Sequence, residues 1–124
     1  MYHHMRVLAF EDGADIALLL CEGGIEFNLL TFKQYWNTEN VIENIRDFSP
    51  DVLLLDHYIP PIKGLEVLRM VNSSVEAGDL SRPEIIVGMS SMPAANQKML
   101  EEGANHGIIK SALATLSIWP RLQS

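Results

Sequence analysis

The segment from Pro50 to Gly64 constrains this chain more than any other. It opens on a proline, runs through Val52, Leu53, Leu54 and Leu55, and stops at the carboxylate of Asp56. A short continuous apolar run suits a strand buried on both faces, as in a parallel sheet. Asp56 then sits at the carboxyl end of a central strand, Asp51 to Leu55, the edge where open α/β sheets bind ligands. Pro60, Pro61 and Gly64 follow as a stiff loop that releases a helix. Asp56 is therefore read as the chemical centre.

At 124 residues, 48% of them hydrophobic, the chain is long enough for one domain with its own core. It is read as a single domain, 1–124. A net charge of −7 with no basic stretch excludes general nucleic-acid binding. No apolar run approaches the roughly 20 residues needed to span a membrane, and nothing resembles a signal peptide. The single cysteine, Cys21, rules out an internal disulfide and a cysteine-rich zinc site, and fits a reducing, cytoplasmic setting. Residues 1–4 read as a disordered start; the alternative, a metal-binding pair at His3 and His4, has no third ligand nearby.

Hydrophobic patterning gives β and α segments in alternation. Arg6 to Phe10 is a first strand ending in Glu11 and Asp12. Asp12 can cap the next helix, with Asp15 near its positive end. That helix carries Ile16, Leu19, Leu20 and Cys21, and Gly23 with Gly24 ends it. Cys21 reads as inert core. Phe27 to Phe32 is a second strand and 33–37 a loop. Thr38 is the expected N-cap of a second helix with Val41, Ile42, Ile45 and Phe48 on one side. After the central strand, Gly64 to Val71 is a third helix and 72–82 a surface connection. Glu84 to Met89 is a fourth strand; Gly88 marks a bulge or a close backbone approach. Pro93 opens a fourth helix and Gly103 suits its C′ position. His106 to Ile109 is a brief fifth strand, and Leu113 with Leu116 a last helix stopped by Pro120. Five βα units imply a parallel sheet covered on both faces, with right-handed crossovers.

All strand ends of a parallel sheet share one edge. That edge gathers Glu11, Asp12 and Asp56, the hydroxyl of Ser90 and the ammonium of Lys110. Close carboxylates repel by about 1 to 4 kcal/mol per pair, and a hard cation such as Mg²⁺ reverses that sign. The same ion neutralises charge on a transferring phosphoryl group. Each residue has a plainer reading alone: a helix cap for Asp12, a loop hydroxyl for Ser90, a solvated lysine for Lys110. Their value is joint. His57 is expected to point away from the site and His106 to be exposed. Tyr35, Trp36 and Trp119 mark either a partner surface or local packing.

The ordered set resembles the CheY-like response-regulator receiver domains over nearly the whole length. Glu11 and Asp12 follow the first strand, Asp56 to Gly64 matches the D-x-x-hydrophobic-P-x-x-x-G pattern, and Ser90 holds the Ser/Thr position. Gly103 with Ala104 matches the Gly-Ala pair and Lys110 the lysine. The resemblance implies a flavodoxin-like (βα)5 three-layer sandwich with a parallel five-stranded sheet in the order 2-1-3-4-5. It implies that Asp56 accepts a phosphoryl group from a histidine kinase or phosphotransfer protein and signals to a downstream effector. Asp12, Asp56 and the Tyr58 backbone carbonyl would hold Mg²⁺, with Glu11 acting through a water. Lys110 would pair with Asp56, and Ser90 would move toward the phosphoryl group.

The chain departs from the pattern in informative places. Lys110 is followed by Ser111 where a proline is usual, so a trans bond or a remodelled loop is expected, cis being costly before a non-proline residue by about 2.5 to 4 kcal/mol. The position of the switch aromatic, three residues before the lysine, is Gly107. The alternative function is a pseudo-receiver, an interaction module that works without phosphorylation. A haloacid-dehalogenase-type phosphohydrolase needs a second acid two residues after the nucleophile, where Tyr58 stands. A flavodoxin needs a phosphate-cradling first loop, where Glu11 and Asp12 would repel phosphate.

Overall fold

The computed structural model describes residues 4–122 and holds one five-stranded, all-parallel sheet in the order β2-β1-β3-β4-β5. The strands are β1 Met5–Phe10, β2 Leu30–Tyr35, β3 Val52–Leu55, β4 Ile85–Met89 and β5 His106–Ile108. The α-helices are α1 Ile16–Glu22, α2 Val41–Phe48, α3 Gly64–Glu76 and α4 Pro93–Glu101. The fold is the expected flavodoxin-like one. Of the proposed disordered start, residues 1–3 lie outside the described residues, and with them His3 of the His3–His4 pair, while His4 is exposed ahead of β1.

The apolar runs of β1, β3 and β4 split by alternation between two cores. Val7, Ala9, Val52, Leu54, Val87 and Met89 face α1 and the C-terminal segment. Leu8, Phe10, Leu53, Leu55 and Ile86 face α2, α3 and α4. Burial on both faces is why these runs carry no polar residue; Arg6, at the less buried start of β1, lies outside its run.

Four elements differ from the sequence expectation by more than a single residue at one end, each for a physical reason. Phe27–Leu29 is a 3₁₀ turn, and β2 begins at Leu30 and continues through Tyr35. As an edge strand it needs only an alternating pattern, which Leu30 and Phe32 with the polar Thr31 and Lys33 supply. Thr38 is not the cap of α2; Asn40 holds that position, with a left-handed backbone and no side-chain cap bond. Helix α3 runs on to Glu76 because Val75, one turn past Val71, packs against the core while Ser73 faces water. The last helix is a 3₁₀ helix, Lys110–Thr115. Leu113 and Leu116 repeat at three residues, the 3₁₀ period. Leu113 is fully buried, and Trp119 closes the same core with its Nε1 donating to Leu113 O at 2.9 Å.

Two further assignments are corrected. Asp15, not Asp12, caps α1, its side chain accepting from Leu18 N at 3.1 Å. Cys21 is exposed, on the outer face of α1. Gly103 takes φ +107 just beyond α4, as its C′ role requires. Among the described residues no helix is long and apolar enough to cross a membrane.

Candidate functional site

The site forms where β1, β3, β4 and Lys110, two residues beyond β5, reach the same sheet edge. β3 ends at Leu55, and Asp56 follows at 3% exposure, its N–H donating to Phe10 O at 3.0 Å. Glu11, next after Phe10, is fully buried. Its Oε2 accepts from Gly13 N at 2.7 Å and Ala14 N at 3.0 Å, while Oε1 lies 2.6 Å from Lys110 Nζ. Apart from that ionic contact Oε1 has no hydrogen-bond partner. Asp12 is exposed at the mouth.

Lys110 therefore contacts Glu11 first and Asp56 second, the latter at 3.6 Å from Oδ1. The expected Lys110–Asp56 contact is present, but it is shared: the ammonium bridges both acids and sits closer to Glu11. Lys110 is linked to Ser111 by an ordinary trans bond; among the described residues the cis bond is Pro60–Pro61.

Burial pushes the Asp56 carboxyl above its ordinary range, with the neighbouring charge of Glu11 next. The Lys110 charge and the Tyr58 backbone N–H pull the other way, and Asp12 adds to the rise. For Lys110, burial works against the charged form, but contact with Glu11 and the charge of Asp56 outweigh it and raise the ammonium's pKa. An excess of buried negative charge is thus only partly balanced by one cation.

The donor set fits a divalent ion. Glu11, Asp12 and Asp56 each offer an oxygen, all within 4.8 Å of one another. Hard oxygen donors, an exposed member and a buried acceptor short of partners are what a Mg²⁺ site with bound waters requires.

Ser90 lies at the end of β4, next to β3, and is 1% exposed. Its Oγ accepts from Met92 N at 3.1 Å. The loop to α4 is only Ser91 and Met92. Tyr58 and Met92, two residues after Asp56 and Ser90, expose about half their surface, at 52% and 50%. His57 is half-buried, its ring edge-on to Tyr58, and burial followed by the charges of Lys63 and Lys98 lowers its pKa. His106 is half-buried rather than exposed. Trp36 is exposed beyond β2, Tyr35 stacks on Phe10, and Trp119 is core.

Three polar residues brace the site in roles that the sequence does not reveal, Thr38 among them in place of the expected helix cap. Gln34 on β2 donates from Nε2 to Glu11 O and Ala14 O and accepts from Ile16 N, pinning the acidic loop. Thr38, fully buried, exchanges hydrogen bonds with Ile62 and donates its N–H to Pro60 O, pinning the loop after Asp56. Asn96 on α4 donates to Ser90 O at 3.0 Å. A Gln at an alternating edge-strand position was the available signal for the first; nothing local marks the others. The glycine of the proline loop also has a steric cause. A Cβ on Gly64 would overlap the Asp56 carbonyl, so the loop can fold back under the site only with glycine there.

No protein-family model matches this sequence, and no curated protein does. Solved structures do match it. The signal receiver domain of the response regulator NarL from Mycobacterium tuberculosis superposes with a TM-score of 0.68 at 21% identity, over 91% of this chain and 89% of that one. The phosphorylated cyanobacterial phytochrome response regulator RcpA gives 0.70 at 21%, over 90% and 84%. The response regulator domain of Thermotoga maritima CheB gives 0.66 at 22%, over 92% and 83%. At such identities the likeness is one of fold, and the fold is that of a receiver domain.

Proposed function

We propose, from a chain with the receiver fold, that residues 1–124 form a phosphoacceptor switch domain that takes a phosphoryl group on Asp56. The observation that carries the reading is a buried Asp56 at the end of the central strand, flanked by two more carboxylates and a lysine bridging Glu11 and Asp56. A helix cap needs none of these neighbours.

Glu11, Asp12, Asp56 and the Tyr58 carbonyl would hold Mg²⁺. When bound, the ion neutralises charge that builds on the phosphoryl oxygens. An ionised Asp56 oxygen forms the new P–O bond as the P–N bond of a donor phosphohistidine breaks, and the electron pair returns to the imidazole. Lys110, shared between two acids, turns from the carboxylates to the phosphoryl oxygens. The Ser90 hydroxyl leaves Met92 N and donates to another. The added charge and acceptors of a phosphoaspartate supply the pull for both.

The donor on this reading is a histidine kinase or a phosphotransfer protein, the setting is cytoplasmic, and the output is a protein effector. The test is intact mass after incubation with acetyl phosphate and Mg²⁺. Wild type should gain one phosphoryl group, and the gain should vanish in Asp56→Asn and on chelation. No gain from acetyl phosphate or from any histidine kinase would leave the pseudo-receiver as the better account.

A further inference from the structure

Helix α4 rests on a shelf of two glycines. Gly88 and Gly107 are register partners on β4 and β5, so both face the same side of the sheet. A Cβ on Gly88 would come 2.8 Å from Met99 Cβ. One on Gly107 would come 2.8 Å from the Asn96 carbonyl oxygen and 3.1 Å from Asn96 Cβ. Positions 96 and 99 are one helical turn apart, so α4 lies directly on sheet backbone.

Asn96 is enclosed there, at 5% exposure. Its Nδ2 donates to Ser90 O at 3.0 Å, and its Oδ1 has no partner. This amide orientation follows from the geometry, because the reverse would set Oδ1 against the Ser90 carbonyl with no proton between them. Ser90 is thus held at both ends, its carbonyl by α4 and its hydroxyl by Met92 N. The first turn of α4 bonds back to the loop through Met92 O, from Ala95 N and Asn96 N, and has no side-chain cap of its own.

We infer that Asn96 is the positioning residue for Ser90, and that through it a displacement of Ser90 reaches α4. The second half rests on the phosphoacceptor reading; the first stands on the packing alone. When the hydroxyl leaves Met92 N, the carbonyl end stays bound to Asn96, so the pull passes into the helix. β5 offers no competing lever, since Gly107 has no side chain to turn. The partnerless Oδ1 leaves the amide free to shift without breaking a second bond.

Residue-resolved amide exchange on wild type, Asn96→Leu, Gly107→Ala and the double variant tests both halves. Leucine nearly matches asparagine in volume. Alanine at 107 leaves Asn96 in the chain but lifts it off the shelf. Without any ligand, exchange at the Met92 amide should rise about fivefold in either variant, the factor of one neutral hydrogen bond. The double variant should add nothing, because both act on the same contact. An unchanged Met92 amide, or a uniform rise along all of α4, would overturn the positioning role. With beryllofluoride and Mg²⁺, wild type should change protection along 94–101, and Asn96→Leu should not, although ¹⁹F NMR shows the fluoride bound. An α4 response that survives in Asn96→Leu would overturn the transmission. Wild type that binds no beryllofluoride and gains no phosphoryl mass would instead sink the phosphoacceptor reading and the transmission with it, while the Met92 measurement would still decide the positioning role.

Discussion

Lys110 Nζ lies 2.6 Å from Glu11 Oε1 and 3.6 Å from Asp56 Oδ1, so the lysine neutralises the fully buried acid first and the proposed phosphoacceptor second. Lys110→Met would strand the Glu11 charge with only the Gly13 and Ala14 N–H bonds to hold it. The expected loss is about 1 to 3 kcal/mol in metal-free buffer, below that of a wholly buried pair because Lys110 is partly exposed. Saturating Mg²⁺ should recover part of it by supplying the missing positive charge. Urea melts with and without Mg²⁺ measure both, and an equal loss in the two buffers would argue against a cation at these acids.

A second expectation follows from burial of Asp56, which with Glu11 raises its carboxyl above the ordinary value of 3.8. An acid with a raised folded pKa binds its proton more tightly in the native state than in the unfolded one. The stability linked to that proton is complete below 3.8 and is lost as pH rises through the raised value. At neutral pH Asp56 is a destabilising charge, so without Mg²⁺ Asp56→Asn should melt higher than wild type. The gap should close as pH falls to 3.8 and below. A variant that melts lower than wild type at neutral pH would refute this.

Tyr58 and Met92, two residues after Asp56 and Ser90, carry bulky, half-exposed side chains. Neither positions a water for in-line attack on a phosphoaspartate. Hydrolysis should therefore be slow, and Tyr58→Asn should shorten the phosphoryl lifetime, on the order of several-fold for one added water-orienting group. The decay of the phosphorylated mass after removal of donor reads this out; an equal or longer lifetime would count against it.

Phosphorylation should disturb the Ser90 to Ala95 segment more than β5. Ser90 is the group that moves, the connection to α4 is two residues long, and Gly107 has no side chain to carry the change. Comparing amide exchange over 90–95 and 105–109, with and without beryllofluoride and Mg²⁺, distinguishes them. The largest change at 105–109 would assign the switch to the fifth strand.

Gly64→Ala should destabilise the fold by about 1 to 3 kcal/mol or more, since its Cβ would overlap backbone rather than a yielding side chain. The Gly64 N–H bond to His57 O at 3.0 Å and the Thr38 clamp keep that loop from moving aside. Thermal melts and Mg²⁺ titration should both suffer. A melt unchanged from wild type would mean that the loop relaxes freely.

Much of this was legible because it depended on local pattern. The runs in β1, β3 and β4 are apolar since both faces are covered, and each strand's end is marked by the first polar residue after it. That is why Glu11, Asp12, Asp56 and Ser90 stood out in order, and a parallel sheet brings such ends to one edge. β2 was displaced by three residues because an edge strand carries only alternation. The end of α3 was missed because its outer face is as polar as a loop.

What tertiary structure decided were the partners. Local pattern says that an acid or a lysine reaches the sheet edge, and does not say which acid the lysine meets first; packing placed Lys110 against Glu11. Gln34, Thr38 and Asn96 became braces through bonds to backbone far away in the chain or across a turn, and no local pattern encodes such bonds. The same holds for Gly107. In sequence it is a missing aromatic; in the fold it is the surface on which α4 lies, because only glycine lets a helix backbone approach a strand so closely.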